Sequence, residues 1–140
     1  MGHAVSNLAE LLRSMQPVLN RGVYAFATLP AGRVPDRLVP IATFREREGL
    51  TLIVEEPQAQ DAGLAVLFRA AWITLSVHSD LHAVGLTAAV ATALAEAGIS
   101  CNVVAAAHHD HLFVPVESAS RAIAALQALQ ERAGPEPGTA

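Results

Sequence analysis

The spacing of hydrophobic residues from Trp72 onward confines the fold of this chain more than any other feature. In WITLSVH (Trp72–His78), Ile73, Leu75 and Val77 alternate with Thr74 and Ser76, the period of a half-buried strand. After the polar stretch SDLHAV, Leu86, Val90, Ala93, Leu94 and Ala97 recur at helical spacing up to Gly98, which ends the helix. ISCNVVAA alternates again, with Ile99, Cys101, Val103 and Ala105 set against Ser100, Asn102 and Val104. HHDH reads as a turn and LFV as a strand that Pro115 ends, because a central strand cannot spare the N–H donor. Ser118 caps a last helix with Ile123, Leu126 and Leu129 inward. Strand, helix, strand, strand, helix is an α+β, ferredoxin-like βαββαβ pattern lacking only its final strand. Both helices are expected on one face of an antiparallel sheet, against Ile73, Leu75, Val77, Cys101, Val103, Leu112 and Val114. Thr74, Ser76, Asn102 and His111 fall on the opposite face.

The residues before this pattern read as a degenerate copy of it. Leu8, Leu11, Leu12 and Met15 lie on one helical face, opened by a capping-box variant of Asn7 and Glu10 and stopped near Pro17. Gly22–Leu29 is a strand. PAGRVPDRLVP stands where a helix would be, and ATFRER with GLTLIVEE forms a hairpin turning at Glu48-Gly49. Pro57 starts a short helix through Ala62 that Gly63 ends. The expected organisation is a degenerate N-terminal half with a leading helix (1–66), a C-terminal half (67–132) and a disordered tail (133–140). The two halves are expected to pack together, the first lending the second its missing strand.

Composition narrows the function. At 52% hydrophobic and 16% charged residues, 140 residues can bury a core, so disorder is excluded as a global state. A net charge of -4 with no basic run argues against nucleic acid as a partner. Apolar stretches are interrupted well before about 18 residues, which argues against a membrane span. No basic segment followed by an apolar block opens the sequence, so no signal peptide is expected. The lone Cys101 forms no internal disulfide. A cytoplasmic protein is the expectation.

HSDLHAVGLTAAVATALAEAGISCNVV resembles the ligand-binding loop and first helix of an ACT domain, a small regulatory module of which many bind amino acids. The shared features are a strand, a polar loop, Gly85 at the helix start, ALAEAGIS at its end and the next strand. Within that family the likeness is to aspartokinase-type regulatory domains, which often carry a glycine-led helix and an Asn in the following strand. The whole chain also resembles small stand-alone bacterial proteins built from two ACT-like halves, in which a stretch like CNVVAAAHHDHLFVP recurs. The proline that often precedes the glycine in that family is Val84 here.

The resemblance implies a non-catalytic regulatory protein that binds a free amino acid or similar small metabolite. The candidate ligand-binding residues are His78, Ser79, Asp80, Leu81, Val84, Gly85, Leu86 and Thr87 in the loop and helix start, with Asn102 and Val103 in the next strand. Physically, a helix N-terminus presents unpaired N–H groups and a positive dipole end, and a residue without a side chain lets a carboxylate approach them. Asp80 suits an α-ammonium group, and Asn102 offers both donor and acceptor. The competing account is that Gly85 serves close helix–sheet packing while Ser79 or Asp80 only caps the helix.

Other chemistries fit less well. His109, His111 and Asp110 match no closed zinc spacing, so no metal is expected. His78, Ser79 and Asp80 are adjacent, whereas catalytic triads assemble from separated segments. Cys101 fits a small apolar role better than that of a nucleophile, and GLTAAVATALAEAG lacks the spacing and Lys of a phosphate loop. No cofactor and no catalytic residue are expected. A homodimer is expected from the sheet edges left open. The alternatives to a metabolite sensor are an association module that binds none and a small enzyme of unknown reaction.

Overall fold

The computed structural model describes residues 7–30 and 33–134. Two compact units divide them, and they do not follow the linear division at residue 66. Residues 7–20 group with 72–134, and 21–71 form the other unit.

The unit built from both ends of the chain contains helix α1 (Leu8–Arg13) and strand β1 (Pro17–Leu19). The second part of β5 (Phe68–Leu75), α3 (Leu86–Glu96), β6 (Asn102–Ala105), β7 (Asp110–Pro115) and α4 (Ala119–Arg132) complete it. Its strands lie in the order β1-β5-β7-β6. That is the ferredoxin-like order, with the last strand supplied by the start of the chain. Pro17, Val18 and Leu19 pair antiparallel with Leu75, Thr74 and Ile73. The first half thus lends the missing strand as expected, through a segment read in the sequence only as a helix stop. Pro17 is tolerated because it opens the strand. Asn7 caps α1, its Oδ1 accepting from the Glu10 N–H at 3.0 Å. Gln130 of α4 ties down the reversal that follows, donating to the Arg13 carbonyl and accepting from the Gln16 N–H.

The core alternation holds. Ile73, Leu75, Leu112 and Val114 are fully buried against Leu86, Val90 and Leu94 of α3 and Ala122 and Leu126 of α4. The HHDH stretch is only half a turn. His108 and His109 belong to the loop closed by the Ala106 N–H on the His109 carbonyl, whereas Asp110 and His111 open β7. Cys101 precedes β6 and is half-buried.

The other unit contains β2 (Tyr24–Leu29), β3 (Ala42–Glu46), β4 (Gly49–Glu55), α2 (Glu56–Asp61) and the first part of β5. Its order is β5-β2-β4-β3, the same permutation with one helix missing. The connection after β2 replaces that helix, held in part by the Val39 N–H donating to Gln58 Oε1. Ala25, Ala27, Leu50, Leu52, Val54 and Ala59 form the core of this unit. The β3–β4 hairpin turns at Arg47-Glu48, one residue earlier than expected, because Gly49 pairs with Glu46. Of the tail expected to be disordered, residues 135–140 lie outside the described residues. Among the described residues no helix is long and apolar enough to cross a membrane.

Candidate functional site

Strand β5 and helix α3 are joined by the loop 76–85, and the β6–β7 hairpin comes to the same end of the sheet. Together they enclose a cleft of about 120 Å³ lined by Ser79, Asp80, Leu81, Ala83, Gly85, Leu86, Thr87, Ala105 and Asp110. Drug-sized ligands fill sites of roughly 300–1,000 Å³, so this volume suits a small metabolite.

Gly85 is the N-cap of α3, with φ +104, and no side chain caps the helix. The first intrahelical bond runs from the Ala89 N–H to the Gly85 carbonyl at 2.9 Å, so the N–H groups of Leu86, Thr87 and Ala88 precede the ladder. The left-handed φ by itself favours glycine. A Cβ at this position would also stand 3.0 Å from Cδ2 of Leu8 in α1. Gly85 therefore serves backbone turn and packing at once, the space beside its Cα being taken by Leu8. Helix propensity does not bear on this residue, because it lies outside the helix.

Six of the residues singled out in the sequence line the cleft: Ser79, Asp80, Leu81, Gly85, Leu86 and Thr87. Four do not. The His78 ring lies 5.3 Å from that of His108, and Val84 is 82% exposed. Asn102 and Val103 pair with Phe113 and Leu112 in the ladder. The reason is direction. α3 runs away from the cleft, β6 starts at its far end, and Ala105 reaches the cleft three residues after Asn102, about 10 Å along the strand at ~3.3 Å per residue.

The residue that sequence reasoning missed is Asp110. It is 7% exposed, at the head of β7, and Ser79, also 7% exposed, lines the same cleft. Burial pushes the Asp110 carboxyl above its ordinary range, opposed by His111, Ser79 and His109. Its parity with Leu112 and Val114 was the available signal: continuing that alternation two residues back places Asp110 on the helix-covered face. Asp80 is partly engaged, its Oδ1 accepting from the His82 N–H at 2.9 Å in an Asx-type turn. Ser79 Oγ donates to the Asp80 carbonyl at 3.4 Å, so the partner of its hydroxyl is a carbonyl rather than an imidazole. The Cys101 thiol is pushed up to about 11 by burial, which keeps it protonated and a poor nucleophile at neutral pH. Among the described residues no three His, Cys, Asp or Glu side chains are placed to hold a metal ion together.

On the sheet face away from the helices, His111 is bound into a polar cluster. Trp72 Nε1 donates to His111 Nδ1 at 3.0 Å, and Thr74 Oγ1 lies 3.1 Å from the same nitrogen. Asn20 Nδ2 donates to Thr74 Oγ1 at 2.9 Å. An indole N–H only donates, so Nδ1 carries the lone pair and the imidazole proton sits on Nε2. Protonating Nδ1 breaks the Trp72 bond. Burial lowers the His111 pKa, His109 lowers it further, and Asp110 opposes both. A histidine with a depressed folded pKa binds fewer protons folded than unfolded. Its contribution to stability is full above the ordinary histidine value of about 6.5 and is lost as pH falls through the folded pKa. The melting temperature is therefore expected to drop between pH 7.5 and pH 5, and His111→Gln is expected to drop less over the same interval. An equal pH dependence in both proteins, measured by thermal melts in matched buffers, would refute this role for His111.

Residues 3–71 and 68–128 each match a family model described as ACT domain. A Vibrio cholerae protein of unknown function, described as a possible transport protein, has a structure that aligns with a TM-score of 0.78 at 53% identity, over 88% of this chain and 95% of that one. A protein from Agrobacterium tumefaciens aligns at 0.66 and 18% identity, over 81% and 87%. The ligand-free regulatory subunit of aspartate kinase from Thermus thermophilus aligns at 0.60 and 11% identity, over 88% and 99%. The last two likenesses concern the fold. Comparison with curated proteins found no match. Two domain matches in tandem, a ferredoxin-like strand order in each unit and a relative 53% identical over 88% of the chain place this chain in the ACT domain family.

Proposed function

We propose that this chain is a non-catalytic regulatory protein that binds a small metabolite, an amino acid first among them, in the cleft at the head of α3. The observation that carries the reading is the uncapped N-terminus of α3, which lines a concave site with the buried polar residues Ser79 and Asp110. The free N–H groups of Leu86 and Thr87 and the helix dipole would receive a carboxylate. Membership of the ACT family supports the reading, as does the fold shared with a regulatory subunit of aspartate kinase. A thermal-shift screen against the twenty amino acids tests it. A ligand at about 100 times its dissociation constant stabilises the native state by roughly 2.7 kcal/mol, so at least one amino acid should raise the melting temperature by several degrees. No shift with any of them would sink the reading.

The second reading is an association module that binds no metabolite. It draws on edge strand β3, which carries Phe44 at 72% exposure, and on the exposed Val104 of edge strand β6. It expects a homodimer whose association weakens on Phe44→Glu or Val104→Glu, together with a null screen.

A further inference from the structure

Four histidines, His78, His108, His109 and His111, gather at one end of the unit built from both ends of the chain, and the fold uses them differently. His111 is held through Nδ1 in the polar cluster with Trp72 and Thr74. His109 has its Nδ1 3.3 Å from the Val77 carbonyl. A carbonyl only accepts, so Nδ1 of His109 carries the proton and Nε2 the lone pair. His78, just past β5, and His108, in the β6–β7 hairpin, remain. Their ring centroids are 5.3 Å apart. Among the described residues neither of these two side chains has a hydrogen-bond partner, so each keeps a nitrogen lone pair unused.

The separation of the two rings has chemical content. Metal–imidazole bonds of about 2.0–2.1 Å in tetrahedral directions put two ring centroids roughly 5 Å apart. His78 and His108 stand at that distance although they come from different segments. His109 lies 6.5 Å from His78 and 6.4 Å from His108, too far to share an ion with them as it stands. The arrangement is therefore a pair of ligands, with water filling the other positions. His108 is exposed and His78 half-buried, so an ion reaches them from solvent. The sequence put His109 and His111 forward as a metal-binding pair. The fold ties His111 to Trp72 and brings His78 to His108 instead.

We propose that His78 and His108 form a two-histidine site for a late first-row divalent transition-metal ion of the Cu²⁺ or Zn²⁺ kind, which ties the loop after β5 to the β6–β7 hairpin. Imidazole nitrogen suits these ions, whereas Mg²⁺ and Ca²⁺ take oxygen ligands. Neither histidine lines the cleft at the head of α3, so the site stands apart from the metabolite reading.

Isothermal titration of Zn²⁺, Cu²⁺ and Mg²⁺ into the full chain, prepared without an affinity tag, tests the proposal at pH 7.5, above the ordinary histidine value of about 6.5. One equivalent of Zn²⁺ or of Cu²⁺ is expected to bind, and Mg²⁺ is not. His78→Ala and His108→Ala are each expected to weaken Zn²⁺ at least tenfold, because a single imidazole cannot chelate. His82→Ala, in the same loop but outside the ring pair, should stay within threefold. Electron paramagnetic resonance of the Cu²⁺ form should show two coordinated nitrogens in the unaltered protein and one in either variant, a change that loss of ring stacking alone would not produce. Zn²⁺ should raise the melting temperature of the unaltered protein and leave both variants unmoved, with melts in EDTA showing that each variant folds. If His78→Ala melts early in EDTA, the exposed His108→Ala carries the test by itself. Zn²⁺ binding no tighter than Mg²⁺, or equal Zn²⁺ binding by the unaltered protein and His108→Ala, would mean an adventitious ion only and overturn the site. Loss of Zn²⁺ on His109→Ala but not on His108→Ala would overturn the pair.

Discussion

Phe113→Ala is expected to lower the unfolding free energy by about 3–5 kcal/mol, the range for removing a large aromatic side chain from a packed core. Phe113 is among the largest fully buried side chains, at 1% exposure, although it lies on the sheet face away from the helices. It stacks on Trp72, with ring centroids 6.1 Å apart and planes 17° from parallel. Trp72 in turn holds His111. Truncation removes the contact area of Phe113, leaves a cavity beside the indole and loosens the donor that fixes the His111 tautomer. Trp72 is the only tryptophan in the chain, so its fluorescence during urea unfolding follows this unit. The midpoint should fall steeply with little change in slope. A loss under about 1 kcal/mol would mean that the site collapses around the gap and that the stack is not a core contact.

The second large effect concerns Gly49. A Cβ there would stand 2.5 Å from the Leu29 carbonyl oxygen, a backbone atom that cannot swing aside, and the residue has φ +151. Leu29 pairs with Leu50 at the end of the β2–β4 ladder, so relieving the clash parts the strands where the pairing begins. Gly49→Ala is expected to cost about 2–4 kcal/mol from backbone strain and lost pairing. Gly63→Ala is the control: it has φ +69 but nothing within 4 Å of its Cβ position, so it carries only the left-handed penalty of about 1–2 kcal/mol. Far-UV circular dichroism during urea unfolding, with hydrogen exchange over 24–29 and 49–55, measures both. Equal losses at the two positions would show that the close approach to Leu29 costs nothing.

Both predictions fall on residues whose importance was not legible beforehand, for different reasons. Alternation along LFV correctly placed Leu112 and Val114 against the helices, and by the same logic it placed Phe113 on the face of Thr74 and His111. Nothing in a period of two says whether that second face is wet at a given position. Gly49 was legible as a turn residue, but its requirement arises from Leu29, twenty residues earlier, and only the strand register brings the two together.

For the candidate site the division is similar. Local chemistry decided where the helix begins and that glycine opens it, since a polar loop, a glycine and a helical hydrophobic repeat are all encoded within 78–97. The resemblance to ACT domains adds the loop residues as site candidates; Ser79, Asp80, Leu81, Gly85, Leu86 and Thr87 line the cleft, and His78 and Val84 do not. Asn102 lies outside the cleft because a strand is long compared with it: β6 reaches the cleft at Ala105, three residues further on. Asp110 was hidden because His and Asp in a row look like turn chemistry, and because burial of a carboxylate is a property of its neighbours.

By itself the sequence determined the order of elements other than β1, the strand parity that buries the core and the helix stripe that covers the sheet. Those follow from periods of 2 and 3.6, which a chain of this composition must satisfy to bury its apolar side chains. Tertiary structure alone decided that Pro17–Leu19 completes the sheet of the far end of the chain, and that Asp110 and Ser79 line one cleft at the start of α3. Strand partners, and the burial of polar side chains 31 residues apart in one cleft, depend on pairing free energies summed over the whole core, and no local window of residues contains that sum.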